Sequence, residues 1–414
     1  MRLPLRSPCR ILLPALFALV AVGVLNARQA PVAVLQPSDI AFEGFRNIRT
    51  NGDSTTWGRA LTHRYVDGDL RFLTIAHPRQ IHEYSVKGIG LGATVTAPTA
   101  TWTLPDGLVS DHIGIWYEEA KSRLWLVSSV DYGEAGRFYP SGIATMTLGP
   151  GSSVSNLKVM TLQGISSKMV FGGVQPVPAW AQKALGCGPY AVGWGGYTSL
   201  MHETSRASLG PVFICIPDPD KYPNQATIPR SAFKVLLDAG DSRGVRKTIP
   251  TNYLDGGDPR QNPSSRPTGR PAAGADWQSP NREGLGWFVW GDSYFNTGMW
   301  IEGSARRGWV AIASLGAGGC WYGNSSIRCD GQQFEMHIWD PARLGNGRLT
   351  RPDSMTELNL PRGNTRYWQD YGVGRLTGAT WDSKSGRMYL QGFPFSTDNG
   401  TGRLYSFIVN TGAR

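Results

Sequence analysis

Four aspartates in this chain stand in loops crowded with aromatic rings. "NGDSTTWGR" (from Asn51), "VSDHIG" (from Val109), "VWGDSYFNTG" (from Val289) and "YWQDYGVG" (from Tyr367) carry Asp53, Asp111, Asp292 and Asp370. A fifth stretch, "CGPYAVGWGG" from Cys187, has rings without an acid. Trp57, His112, Tyr190, Trp194, Trp290, Tyr294, Tyr367, Trp368 and Tyr371 lie beside them. Flat rings bury the apolar faces of pyranoses, and carboxylates accept hydrogen bonds from sugar hydroxyls. A carboxylate pair about 5 to 9.5 Å apart also serves as acid and base, or as nucleophile, in glycoside hydrolysis. Asp111, Asp292 and Asp370 are therefore the catalytic candidates. With backbone carbonyls, Asp53, Asp111, Asp292 and Asp370 could instead hold a calcium ion; no other cofactor is expected. The structural alternative is that each Asp caps a turn through its own side chain and the tryptophans fill gaps between sheets.

Chemistry of either kind needs elements that bring distant loops together, and a repeat supplies them. "GIWYEEAKSRLWL" (Gly114–Leu126), "GMWIEGSARRGWV" (Gly298–Val310) and "GATWDSKSGRMYL" (Gly378–Leu390) each open with Gly, have Arg at the tenth place and an aromatic at the twelfth. Their ends alternate apolar and polar, and their middles are charged or Gly-containing, which is the pattern of a β-hairpin. "ALTHRYVDGDLRFL" (Ala60–Leu73) is a looser copy, and "GWGGYTSLMHETSRASLGPVFICIP" (Gly193–Pro217) a more divergent one. A third strand follows each unit: "QIHEYSV", "GIATMTL", "PVFICIP", "FEMHIWD" and "RLYSFIV". Fourth strands follow four of them: "TATWTLP", "LKVMTLQ", "FKVLLDA" and "TELNLP". The last unit lacks one, and "DIAFEGF" (Asp39–Phe45) is spare at the other end. These counts predict an all-β, five-bladed β-propeller closed by its N-terminal strand, a single domain over roughly residues 38–410. Six blades, with one unit divided differently, is the alternative count. The Asp-bearing loops then join each outer strand to the next inner strand, on the rim at the mouth of the central channel.

The remaining signals set the context. Arg2, Arg6 and Arg10 precede an apolar run, Ile11–Leu25, so residues 1–30 read as a secretory signal or a short anchor. Removing those three arginines takes the formal charge from +10 to +7. The other basic residues are scattered, with no block of Lys and Arg interleaved with aromatics, so nucleic acid is not an expected partner. Four cysteines remain after Cys9, an even count that suggests disulfides in an exported protein. "CWYGNSSIRC" closes a short loop, so the expected pairs are Cys320–Cys329 and Cys187–Cys215. That loop joins a second strand to a third, which puts Trp321 and Tyr322 on the same rim as the aspartates. Residues 239–286 are rich in Pro, Gly and Arg and break the rhythm, as a long functional or unstructured loop would. "GIGLG" (Gly88–Gly92) lacks the following helix that a phosphate cradle needs. The six histidines show no ligand spacing.

In its repeat, over residues 38–410, the chain resembles secreted β-propeller proteins in general. Five-bladed propellers include glycoside hydrolases acting on arabinans and xylans, which use one acid in each of three successive blades. This chain departs from them, because its middle blade offers only Glu203, in a turn expected on the far rim. "FVWGDSYFNTG" (Phe288–Gly298) is similar to the nucleophile block of GDS-type esterases, with Ser293 as nucleophile. The Asp-x-x-His they need is absent, since only His337 follows, in "QQFEMH". The expectation is a secreted or periplasmic monomer that binds an extracellular carbohydrate or similar polar ligand and touches no membrane beyond export. Its ligand-binding residues would be Trp57, His112, Trp194, Tyr294, Trp321, Tyr322, Trp368 and Tyr371. A glycoside hydrolase or lyase, and a scaffold with no small-molecule site, are the alternatives.

Overall fold

The computed structural model describes residues 32–49, 60–76, 79–105, 108, 111–129, 140–166, 173–193, 211–238, 294–323, 326–345, 352–361, 376–392 and 401–412. Of these, 111–113, 128–129, 140–141, 166, 211–212, 237–238, 294–297, 313–323, 326–333 and 401 are described by their backbone. Val32–Arg414 is one compact unit and Met1–Pro31 another. The described strands fall into five small sheets, the five blades of a β-propeller.

The first described strands are β1 (Ala33–Val34) and β2 (Ile40–Arg49). Blade one is β3 (Leu61–Val66), β4 (Asp69–Ala76), β5 (Gln80–Ser85) and β7 (Ala100–Thr103), with the short β6 (Thr94–Val95) before its outer strand. Blade two is β8 (Asp111–Glu118), β9 (Arg123–Ser129), β10 (Pro140–Leu148) and β11 (Val154–Ser166). Blade three is β12 (Val174–Pro176), β13 (Tyr190–Gly193), β14 (Pro211–Ile216) and, after the short β15 (Thr227–Ile228), β16 (Lys234–Asp238). Blade four is β17 (Tyr294–Glu302), β18 (Arg306–Gly323), β19 (Ser326–Trp339) and β20 (Ser354–Glu357). Blade five is β21 (Leu376–Asp382), β22 (Arg387–Gly392) and β23 (Thr401–Val409), completed by β2. The expected closure is therefore present: β2 runs antiparallel to β23, with Phe42 opposite Phe407 and Phe45 opposite Tyr405.

The repeated letters have separate mechanical reasons. A β-bulge precedes the opening glycine of each thirteen-residue unit, between His112 and Gly114, Phe295 and Thr297, and Leu376 and Gly378. Gly378 lies where a Cβ would sit 2.4 Å from the backbone nitrogen of Leu61, so only glycine lets blade five approach blade one. The aromatics at the twelfth place are buried and meet a ring of a neighbouring blade. Trp125 lies 4.6 Å from Tyr190, Trp309 4.3 Å from Phe213, and Tyr389 4.7 Å from Phe72. Each such pair adds to the apolar burial that joins blade to blade, worth about 0.5 to 1.5 kcal/mol beyond area alone.

A second device joins neighbouring blades. The segment before each outer strand reaches back to the preceding blade. β6 pairs in parallel with β2, β15 with β11, and β1 with β18. In the other two blades one hydrogen bond does the same: Trp102 Nε1 donates to the Gly149 carbonyl at 2.9 Å, and Gly345 N to the Leu236 carbonyl at 3.1 Å.

Blade three corrects the sequence reading. Its first hairpin is not Gly193–Pro217; Val174–Pro176 is the inner strand and Tyr190–Gly193 the second. Where other blades turn tightly, this one inserts α1 (Ala179–Leu185), which ends at Gly186 in the left-handed region (φ 59°). The helix lengthens the connection and hides the thirteen-residue rhythm. "CGPYAVGWGG" is thus not an inter-blade loop, and Tyr190 is buried in a strand. A disulfide ties Cys187, just beyond α1, to Cys215 on β14, as expected, across a Cα–Cα distance of 5.6 Å.

Candidate functional site

The five inner strands surround a cavity of about 410 Å³, which is the central channel from the middle of those strands to their hairpin-turn ends. β3 contributes Leu61, Thr62 and His63, β8 Ile115 and Trp116, β12 Val174, Gln175 and Pro176, β17 Gly298, Met299, Trp300 and Glu302, and β21 Ala379, Thr380 and Trp381. Trp116 and Trp381 are half-buried. Trp116 is braced by Trp125 and Tyr190, with ring centroids at 5.9 and 6.0 Å. Trp300 is locked among Trp309, Trp180 and Phe213, at 5.0, 6.4 and 6.4 Å. Its indole N–H is enclosed and finds no acceptor among the described residues, so it offers the cavity an edge rather than a donor. Gln175 is also committed: its amide donates to the Gly298 carbonyl at 2.6 Å and accepts from Trp300 N at 2.8 Å, holding blade three to blade four.

Where blade five meets blade one, the cavity wall becomes polar. His63 Nδ1 lies 2.8 Å from Thr380 Oγ1, and its Nε2 3.8 Å from Asp382 Oδ1. Burial holds the imidazole below its ordinary value, against the pull of the Asp382 charge, so it is neutral at pH 7. Burial works on Asp382 in the raising direction, but hydrogen bonds from Ser385 and Tyr65 outweigh it and hold the carboxyl below the usual range. Tyr65 donates to Asp382 Oδ2 at 2.7 Å, and burial raises its phenol strongly. The group is a neutral imidazole and a threonine hydroxyl at a cavity wall, fixed from behind by an ionised carboxylate.

The register of the hairpins exposes a regularity that the sequence also carries. Glu118 stands opposite Arg123, Glu302 opposite Arg307 and Asp382 opposite Arg387, so the fifth place of each unit is acidic wherever the tenth is Arg. The three pairs behave differently. Arg123 Nε donates to Glu118 at 2.5 Å, and Trp125 and Tyr190 donate to the same carboxylate at 2.9 and 2.7 Å. Arg387 turns to Glu43 on β2, at 2.7 and 2.9 Å. Arg307 lays its guanidinium over Trp180 of α1 at 3.9 Å, and Trp180 Nε1 donates to Glu302 at 2.6 Å. Glu302 is exposed on the cavity wall and has no cationic partner among the described residues.

None of the candidates read from the sequence is among the described residues that line the cavity. Asp53, Trp57, Trp194, Asp292, Trp368, Asp370 and Tyr371 are outside the described residues. Asp111 and His112 open β8, Tyr294 opens β17, and Trp321 and Tyr322 lie on β18, all described by backbone alone. These five belong to strands rather than loops. The β18–β19 register sets Cys320 opposite Cys329. Among the described residues no three His, Cys, Asp or Glu side chains group as metal ligands, and no helix is long and apolar enough to cross a membrane. The residues that line the channel were passed over in the sequence. Trp116 and Trp300 share the third place of their units, a ring that alternates inward on an inner strand, and that was the available signal.

No protein family model matches the chain, and no curated protein matches it. Among solved structures it is similar to a crystal structure of a member of the DUF4221 family from Bacteroides vulgatus. The identity is 8% and the TM-score 0.34, over 90% of this chain and 98% of that one. At that score the likeness adds nothing to the fold, which rests on the five sheets themselves.

Proposed function

We propose that this propeller is an exported binding module that takes an extracellular carbohydrate, or a similar polar ligand, in its central channel. The observation that carries the reading is the cavity of about 410 Å³, lined by tryptophans of three blades together with polar groups. Trp116 and Trp381 offer partly open ring faces, while His63, Thr380 and Glu302 offer hydrogen-bonding groups. Concave sites of this size with aromatic walls and a few fixed polar groups are the usual form of small-ligand sites. Export is supported by the basic and apolar start of the chain and by the Cys187–Cys215 bond, since disulfides persist in oxidising compartments.

The test is retention on a panel of plant, microbial and host polysaccharides, using the native protein beside Trp116→Ala and Trp381→Ala. Retention on at least one polymer, weakened roughly tenfold or more by either substitution, is expected, because sugar–ring contacts are worth a few kcal/mol at most. Retention unchanged in both variants would move the site out of the channel. Release of soluble sugar during the same incubation would make the protein a hydrolase or lyase.

A further inference from the structure

Resting on the carbohydrate reading, we propose that the preferred ligand carries protonated amines: an amino-sugar oligosaccharide whose amino groups are free. Glu302 is the carboxylate on the described cavity wall that no cation answers. The equivalent acids are occupied, Glu118 by Arg123 at 2.5 Å and Asp382 by the hydroxyls of Tyr65 and Ser385. Glu302 is instead oriented from one side by the Trp180 indole, at 2.6 Å, which leaves its other oxygen for a ligand. Its register partner Arg307 is diverted onto the face of Trp180.

The rest of the wall favours the same charge. Indole faces attract cations through their quadrupole, most strongly where water is excluded. The described lining residues include no Lys or Arg, and His63 is neutral at pH 7 because it is buried. An acidic saccharide would meet the Glu302 charge without a compensating cation. The chain as a whole is basic, at +10, so its long-range field draws anions. A preference for a cation must therefore come from the channel itself, which makes it diagnostic.

Calorimetric titration decides the matter, in mildly acidic buffer, with a free-amine chitosan oligomer, its fully N-acetylated counterpart, an oligogalacturonate and choline. The native protein is expected to bind the free-amine oligomer roughly tenfold more tightly than the acetylated one. Glu302→Gln, which keeps an acceptor for the Trp180 indole, should erase that preference. Equal affinity for the two, a preference that survives Glu302→Gln, or tighter binding of the oligogalacturonate would overturn the proposal. If the acetylated oligomer binds and the amine adds nothing, the carbohydrate reading stands and this one falls. If no saccharide binds, the carbohydrate reading falls; Glu302-dependent binding of choline would then keep the cation site, and its absence would remove it.

Discussion

The seam between blades two and three and the seam between blades five and one are built from the same letters and do different things. In both, an acid at the fifth place accepts from a tyrosine of the following blade: Glu118 from Tyr190 at 2.7 Å, Asp382 from Tyr65 at 2.7 Å. At the first seam Arg123 folds onto Glu118, and Asp220 closes the network by accepting from Arg123 and Lys121 at 2.6 and 2.5 Å. Every charge there is answered, and the cluster acts as a lock. At the second seam Arg387 has been drawn away to Glu43, so Asp382 is held by hydroxyls and lies beside His63, which faces the channel. One repeat therefore yields a closed lock where its arginine stays and a polar wall where its arginine leaves.

The comparison is broken most severely by removing the shared acid. Glu118→Ala removes the acceptor of a buried indole and phenol and one of the two carboxylates that answer the Arg123 guanidinium. Chemical denaturation should show a loss of about 3 to 5 kcal/mol, the usual result of breaking one side of a buried ion pair. Asp382→Asn keeps the shape and removes the charge, and should cost less, about 1 to 3 kcal/mol. A larger loss at Asp382 than at Glu118 would reverse the ranking of the two seams. Glu302→Gln touches an exposed group and should move stability by no more than about 0.5 kcal/mol.

Acid probes the second seam and the strand that closes blade five without mutation. Folding lowers the affinity of His63 for protons below its ordinary 6.5, so between the two values the unfolded chain binds more protons. Its contribution to stability is present above pH 6.5 and is lost as pH falls through the folded value. The Arg387 guanidinium holds Glu43 at about 2, against 4.5 ordinarily, so that contribution is intact above pH 4.5 and disappears toward pH 2. Melting temperature should therefore decline in two stages on acidification. His63→Gln should flatten the upper stage and Glu43→Gln the lower; a His63→Gln profile identical to the native one would show that the imidazole is not held neutral.

The blades were legible because a hairpin that must pack against its like on both sides repeats its glycine, its arginine and its ring. Closure was legible from a missing fourth strand at one end and a spare one at the other. Blade three was not, because α1 replaces a turn and its inner strand, Val174–Pro176, is only three residues long. The edge pairings escaped notice because two-residue strands such as β6 and β15 have no period to read. The channel wall was missed for a different reason. Trp116, Trp300 and Trp381 occupy inner strands, where an alternating ring reads as core. The acid at the fifth place was visible in all three thirteen-residue units, but its meaning depends on which way each arginine turns, and that is decided by Glu43 and Trp180, far off in sequence.

The most direct measurement is hydroxyl-radical footprinting of the tryptophans, read by mass spectrometry, with and without the best-retained oligosaccharide. Binding in the channel predicts protection of Trp116 and Trp381, while Trp125, fully buried at the blade seam, stays unreactive in both states. Protection elsewhere, with Trp116 and Trp381 as reactive as in the free protein, would contradict a ligand site in the channel.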